Sequence, residues 1–180
     1  GAAALQKYHS FLTTFAGWIG KPKLVKPLSA YFADPALITR SYIAVEPKAW
    51  RERGVDVEQL LAQIDGYDVH AATSLRLMQA FGLRFKEACM LRPHADVLTA
   101  AQAGQPEGGA ALYLFTHRGT KGGRKRYVPI DTDARMRAIE AARRVARGET
   151  DSVSDPQQTL VQAIRHLRYV MERFGVTKKD

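Results

Sequence analysis

Apolar side chains recur at every third or fourth position in several segments of the chain, which is the spacing of a helix with one apolar face. The first such segment, residues 5–19, predicts a helix that ends at Gly20. Four prolines interrupt residues 21–47, so this stretch is predicted to be a connector with at most short helices. The apolar face of the first helix comprises Leu5, Tyr8, Phe11, Leu12, Phe15, Trp18 and Ile19.

Capping residues mark two helices in the middle of the chain. Asp56 is placed to cap a helix that continues through about Ile64, and Asp68 is placed to cap one that continues to Phe81. Gly82 is the natural stop of the second helix. The inner side of the second helix is predicted to carry Ala71, Leu75 and Met78, with Ala72 and Gln79 as further candidates.

A short helical turn and three strands follow. Residues 83–91 read as the helical turn, and residues 94–99, 110–115 and 126–130 read as strands. The Gly-Thr-Lys-Gly-Gly segment between the last two strands is typical of a hairpin. Pro129 has no backbone N–H to donate, so the last strand is predicted to lie at an edge of the sheet or to end at this residue.

Two more helices complete the pattern. The first is predicted to begin at Thr132 and to stop at Gly148. The second is predicted to begin at Asp155, with Pro156 at its first helical position and Gln158 completing a capping box. Helices, a small antiparallel sheet and further helices in this order predict a mainly helical α+β fold. The stripe predicted for the last helix comprises Leu160, Val161, Ile164, Leu167, Met171 and Phe174.

Composition excludes several classes of protein. The 180 residues contain a single cysteine, Cys89, so neither an internal disulfide nor a cysteine-based zinc site can form within the chain. The five histidines have no spacing typical of metal ligands, and we expect no metal and no cofactor. No run of 18 or more apolar residues offers a membrane span.

Positive charge is concentrated in the later part of the chain. The formal net charge is +9, from 27 Lys plus Arg and 18 Asp plus Glu. Residues 71–180 hold nineteen of these cations and eleven of the acids, and residues 117–126 hold five cations and no acid. Such a field attracts polyanions, although a solvated basic surface is the alternative interpretation.

Three residues are candidates for phosphate chemistry. Arg84 follows the stop at Gly82, and Glu87 lies three residues later, so on a helical turn the carboxylate can hold the guanidinium in place. An arginine fixed in this way is oriented to bind a phosphate. Lys121 lies at the tip of the predicted hairpin, where it can enter a DNA groove. Taken alone, such a pair is more commonly a surface ion pair, and such a lysine a solvated loop residue.

Two motifs together resemble the tyrosine recombinase (phage integrase) family. Residues 80–91, Ala-Phe-Gly-Leu-Arg-Phe-Lys-Glu-Ala-Cys-Met-Leu, resemble the first arginine box of that family. Residues 118–130 resemble the β2–β3 hairpin that carries its catalytic lysine. The resemblance covers about residues 45–180, and the sequence of this part is most similar to integrases of mobile genomic islands. Residues 5–27 resemble the end of the helical core-binding domain that precedes catalysis in such enzymes.

The resemblance implies a role for each matching residue. Arg84 would bind the non-bridging oxygens of the scissile phosphate, Glu87 would support it, and Lys121 would protonate the leaving 5′-hydroxyl. Members of the family cleave DNA with a tyrosine, through a 3′-phosphotyrosyl link that needs neither metal nor ATP. Around the lysine, the residues expected to contact DNA are Arg118, Arg124, Lys125 and Arg126.

The resemblance also implies partners and a domain organisation. Double-stranded DNA attachment sites would be the substrate, bound by a tetrameric synapse of the whole protein in the bacterial cytoplasm, at the nucleoid. Residues 1–27 would be a remnant of the core-binding domain with its linker, and residues 28–180 the first portion of the catalytic domain.

Part of the family's pattern has no match in this chain. The second box, His-x-x-Arg, is missing, because His166-Leu-Arg168 has the wrong spacing. We therefore expect a truncated piece of a longer recombinase, inactive by itself. A non-catalytic DNA-binding module, an interaction scaffold and a type IB topoisomerase relative are the alternatives. No tyrosine occupies the place of the nucleophile after such a box, among Tyr8, Tyr31, Tyr42, Tyr67, Tyr113, Tyr127 and Tyr169.

Overall fold

A computed structural model of the protein describes residues 1–40, 54–106 and 108–176. The chain divides into two compact units, Gly1–Lys48 and Ala49–Asp180. This division falls about twenty residues after the end of the segment that the sequence assigned to a core-binding remnant and its linker.

The first unit is built on one long helix, α1 (Ala2–Trp18), as predicted. Two 3₁₀ turns, Pro22–Leu24 and Leu28–Ala30, and a short helix, α2 (Pro35–Ile38), follow it. The described part of the predicted connector therefore holds only short helices, and residues 41–47 lie outside the described residues. Most of the apolar stripe on α1 stays exposed: Tyr8, Phe11, Leu12, Phe15 and Trp18 each keep more than half of their surface in solvent.

The second unit begins with two helices capped by aspartates. Helix α3 (Val57–Tyr67) starts after Asp56, whose Oδ1 accepts a hydrogen bond from the Gln59 amide at 3.0 Å. Helix α4 (Val69–Phe81) starts after Asp68, whose Oδ1 accepts from the Ala71 amide at 2.8 Å. Both starts confirm the sequence analysis, because the carboxylates satisfy amides that a helix leaves unpaired.

Gly82 ends α4 in the left-handed conformation, with φ of 62°, and the short helix α5 (Phe85–Met90) follows almost at once. Inside α4, Gln79 is exposed, whereas Leu77 is fully buried. The inclusion of Gln79 on the inner side was therefore wrong, since the buried face turns through Leu77 instead.

Three antiparallel strands form one sheet in the order β1 (Val97–Thr99), β2 (Leu112–Thr116) and β3 (Arg126–Pro129). Strands β2 and β3 form the predicted hairpin, in which Leu114 faces Val128. β3 lies at an edge of the sheet, which confirms the inference drawn from Pro129.

Helix α6 (Asp133–Val145) begins at the predicted cap, where Thr132 Oγ1 accepts from the Arg135 amide at 3.3 Å. It ends at Val145, three residues before the predicted stop at Gly148. Residues 146–159, which form turns and bends, then lead to the last helix.

The last helix, α7 (Leu160–Arg173), begins later than predicted. Thr159 is its cap, and Gln162 completes the capping box, with Gln162 Oε1 2.8 Å from the Thr159 amide. Asp155 instead accepts a hydrogen bond from the Gln157 amide in a local turn. The predicted stripe is also wrong at Val161, which is 58% exposed, because α7 buries Ala163, Leu167 and Val170.

The core of the second unit consists of two clusters of buried side chains, and α5 contributes to both. Ala88 belongs to the cluster between the sheet, α4 and α6, and Cys89 belongs to the cluster between α3, α4 and α7. This short helix is therefore held from both sides, which fixes the residues at its start. The mixed architecture, mainly helical with one small antiparallel sheet, is the predicted α+β fold.

Candidate functional site

The candidate site begins at the junction between α4 and α5. Gly82 turns the chain sharply, and Arg84 becomes the residue that caps α5. The Arg84 amide donates to Glu87 Oε2 at 2.8 Å, and its guanidinium Nη1 donates to Glu87 Oε1 at 3.1 Å. The Arg84 side chain is nevertheless 62% exposed. The sequence prediction that Glu87 holds the guanidinium of Arg84 matches this geometry.

The carboxylate of Glu87 is completely buried and binds a second arginine. Arg126, in the first position of β3, donates from Nη1 to Oε1 at 3.1 Å and from Nη2 to Oε2 at 2.8 Å. The hydrogen bonds from Arg126 are the largest cause that lowers the pKa of Glu87, and they outweigh the desolvation that would raise it. The same pairing raises the pKa of Arg126. Glu87 therefore joins α5 to the hairpin as a charged carboxylate.

The hairpin also contacts the start of α5 through a glycine. Gly119 has a φ of +71°, and a Cβ built on it would lie 2.9 Å from Lys86 Cγ and 3.0 Å from the Lys86 carbonyl carbon. Only a residue without a side chain permits this approach. The loop then forms a 3₁₀ turn over Lys121–Gly123, with Gly122 and Gly123 at positive φ.

Between this turn and α5 lies an open cleft of about 780 Å³. It brings together Arg84 and Lys121, two of the three residues that the sequence assigned to catalysis. The third, Glu87, lies beneath Arg84. All of the charged residues lining the cleft are cations: Arg84, Lys121, Arg124, Lys125 and Arg126.

Arg118 does not line this cleft. Its Nε lies 3.4 Å from Asp96 Oδ1, so the two side chains form an ion pair without a well-aligned hydrogen bond. Asp96 is buried, and it also binds His117 Nε2 at 3.0 Å and the Arg92 amide at 2.9 Å. Asp96 thus anchors the start of the hairpin loop, a role that sequence reasoning missed because nothing local connects it to residues twenty positions later.

An aromatic column runs along the other face of the hairpin. Phe115 stacks on Tyr127 with ring centroids 4.8 Å apart and on His117 at 4.4 Å. Tyr127 therefore packs against Phe115 on the sheet. Tyr169, on α7, borders a shallow depression beside His166. Among the described residues, no tyrosine lines the cationic cleft.

Each histidine has a partner within the protein. His166 Nε2 lies 2.6 Å from Asp68 Oδ2 and thereby ties α7 to the start of α4. The other pairings are His9 with the Lys26 carbonyl, His70 with the Val153 carbonyl, His94 with the Ala146 carbonyl, and His117 with Asp96. In the described ranges, no group of three or more potential metal ligands converges. None of the helices described is long and apolar enough to cross a membrane.

Comparison with known proteins gives one match. A family model described as Integrase matches residues 49–179, a range that contains the cationic cleft, Glu87 and the whole hairpin. No curated protein and no solved structure matches the chain.

Proposed function

This chain belongs to the integrase family, and we propose that it forms part of a tyrosine-type site-specific recombinase that cuts and rejoins double-stranded DNA. Membership of the family implies DNA as the partner. The observation that carries the finer proposal is the cleft in which Arg84 and Lys121 meet, lined only by cations among its charged residues. A similarity to integrases of mobile genomic islands belongs to the same proposal.

Arg84 suits the role of binding the scissile phosphate. Glu87 accepts hydrogen bonds from the Arg84 amide and from one terminal nitrogen of the Arg84 guanidinium, and the Arg84 side chain remains 62% exposed. A guanidinium offers two parallel N–H groups to two phosphate oxygens. Held in place before DNA binds, it would stabilise the charge that develops on those oxygens when the phosphorus is attacked.

Lys121 suits the role of general acid. Attack of a tyrosine oxygen on the phosphorus forms a phosphotyrosyl bond and breaks the bond to the 5′-oxygen. That oxygen needs a proton as it leaves, and the Lys121 ammonium carries one at the edge of the cleft. The glycine-rich turn around the lysine lets the backbone approach DNA closely.

The flanking cations would contact neighbouring phosphates. Arg124 and Lys125 line the cleft and have exposed side chains. Arg118 is retained as a DNA contact of smaller weight, since its ion pair with Asp96 must compete with any phosphate. Such contacts supply affinity and position rather than sequence recognition.

We propose that the second arginine box and the nucleophilic tyrosine lie outside these 180 residues. In support, the sequence contains no His-x-x-Arg, and none of the described tyrosines lines the cleft. A tetrameric synapse on the attachment sites, a location in the bacterial cytoplasm and a core-binding origin for residues 1–27 complete the proposal.

A trapping experiment tests the proposal. The chain would be expressed together with the sequence that follows it in its gene and mixed with a nicked duplex carrying its attachment site. A covalent protein–DNA complex is expected, and Arg84→Ala should reduce it at least about 100-fold, the usual weight of one electrostatic contact to a transition state. Arg143→Ala, an exposed arginine on α6 outside the cleft, is the matched control. Normal trapping by Arg84→Ala would contradict the assignment.

The second candidate is a non-catalytic DNA-binding module. The absence of a described tyrosine from the cleft favours it, because the cations alone can hold phosphates without chemistry. Lys121→Arg separates the two functions, since arginine keeps the positive charge but does not give up its proton. A recombinase would lose trapping in this variant and keep binding. DNA binding without any covalent complex from the unmodified protein would favour the module.

A further inference from the structure

The buried carboxylate of Glu87 is shared unequally between two arginines. Arg126 gives it two guanidinium hydrogen bonds, one to each oxygen. Arg84 gives it one guanidinium hydrogen bond and one from its amide. Each oxygen therefore already accepts two donors, which is the capacity of a carboxylate oxygen.

The arginine with more guanidinium hydrogen bonds to Glu87 is also the less exposed of the two. Arg126, whose two terminal nitrogens are both on Glu87, is 35% exposed. Arg84, which is held through only one, is 62% exposed and faces the cleft. Two guanidinium groups and one carboxylate also leave this cluster with one net positive charge.

We propose that Arg126 is a positioning residue: it occupies the Glu87 carboxylate and so keeps Arg84 turned outward to take a DNA phosphate. The sequence had placed Arg126 among the direct DNA contacts, and this inference gives it a different task. It rests on the proposed function only in naming the phosphate as the ligand of Arg84.

The physical reason is the cost of a buried charge. A carboxylate without exposure to water must be paired, and removal of one partner from a buried pair is strongly destabilising. Without Arg126, the nearest cation is Arg84, already 3.1 Å away through Nη1. Its guanidinium would rotate into a two-pronged pair with Glu87, and the donors intended for phosphate would be lost.

The alternative is that Arg126 merely fastens the hairpin to α5. Arg126 begins β3 and follows Lys125 directly, so the ion pair does join the two elements. However, Gly119 seated on Lys86 joins the hairpin to α5 independently. The two roles make different predictions once the carboxylate is neutralised.

The test measures binding of the chain to a 30-base-pair duplex of arbitrary sequence over a range of salt concentrations. Arg126→Met and Arg84→Ala should each weaken binding about 10-fold. The double variant Arg126→Met/Arg84→Ala should bind no more weakly than either single variant. The double variant Arg126→Met/Glu87→Gln should recover binding to within about threefold, because a neutral amide no longer draws Arg84 inward.

Two results would overturn the inference. If Arg126 contacts a phosphate itself, the weakening of duplex binding in Arg126→Met adds to that in Arg84→Ala, and the further change Glu87→Gln does not restore binding. If it only fastens the hairpin, Arg126→Met exposes α5, and the single buried cysteine, Cys89, reacts faster with a thiol reagent in both Arg126 variants. The inference expects Cys89 to remain as slow as in the unmodified protein.

A second measurement separates this inference from the proposed function. Nitrogen-15 relaxation of the Arg84 side chain, without DNA, should show less motion in Arg126→Met than in the unmodified protein, and this further restriction should disappear in Arg126→Met/Glu87→Gln. Equal motion in all variants would overturn the inference even if DNA binds as proposed. A chain that does not bind the duplex, but shows this change in motion, would refute the proposed function and leave the inference standing.

Discussion

At the scale of single residues, Glu87 is the center of the site. Its partnership with Arg84 could be predicted, because three positions on a helical turn place two side chains on one side. Its partnership with Arg126 could not, because 39 residues separate them and only the packing of the hairpin against α5 brings them together. Sequence spacing therefore found the carboxylate and the first arginine, but assigned the second arginine to DNA.

Acid should weaken the protein through Glu87. The pKa of this carboxyl is lowered in the folded state, so ionised Glu87 contributes stability above the ordinary glutamate value of about 4.5. That contribution is lost as the pH falls from this value through the lowered pKa. Urea unfolding at a series of pH values should therefore show a decline below about pH 4.5. The decline should be smaller in Glu87→Gln, and equal declines in the two proteins would contradict the role of this carboxylate.

At the scale of elements, capping residues in the sequence predicted where most helices begin. The exception is α7, for which two capping residues were available and tertiary contacts decide between them. The Asp155 and Thr159 caps each have a glutamine three residues later, and Pro156 at the first helical position made the sequence favour Asp155. In the structure, the Val153 amide donates to the Leu91 carbonyl at 2.9 Å and the Ser154 amide to the Cys89 carbonyl at 3.3 Å. These contacts hold residues 153 and 154 against the end of α5, and the helix begins only at Leu160.

The contact of the hairpin with α5 predicts a difference between two glycines. Gly119→Ala should destabilise the protein by more than Gly122→Ala, although both glycines have a φ of +71°. A Cβ at Gly119 meets the Lys86 backbone, whereas a Cβ at Gly122 meets nothing within 4 Å. Both variants bear the cost of left-handed backbone, about 1 kcal/mol, and only the first must also move the hairpin.

Thermal or urea unfolding of the two alanine variants measures this difference, and DNA binding shows whether the cleft has changed. Weaker binding is expected in Gly119→Ala, because Lys121 moves away from Arg84. Equal stability of the two variants would contradict a tight seat of the hairpin on α5.

At the scale of the whole molecule, the structure shows where part of the excess positive charge of residues 71–180 lies, which is around the cationic cleft. The five cations of residues 117–126 lie in the loop between β2 and β3 and at the first residue of β3, and the fold gives them different partners. Arg118 pairs with Asp96, Arg126 pairs with Glu87, and Lys121, Arg124 and Lys125 remain at the cleft with Arg84. Composition predicted the basic surface, but which cations stay available depends on two buried acids whose partners are distant in sequence.

The measurement that tests this account most directly is the salt dependence of duplex binding by the chain. Four available cations predict a log–log slope of about −4. Arg84→Ala and Arg124→Ala should each make the slope shallower by about one and weaken binding to all sequences alike, while Arg143→Ala should leave it unchanged. A slope near zero for the unmodified chain, or the same slope for Arg84→Ala and Arg143→Ala, would contradict the claim that this cleft holds DNA phosphates.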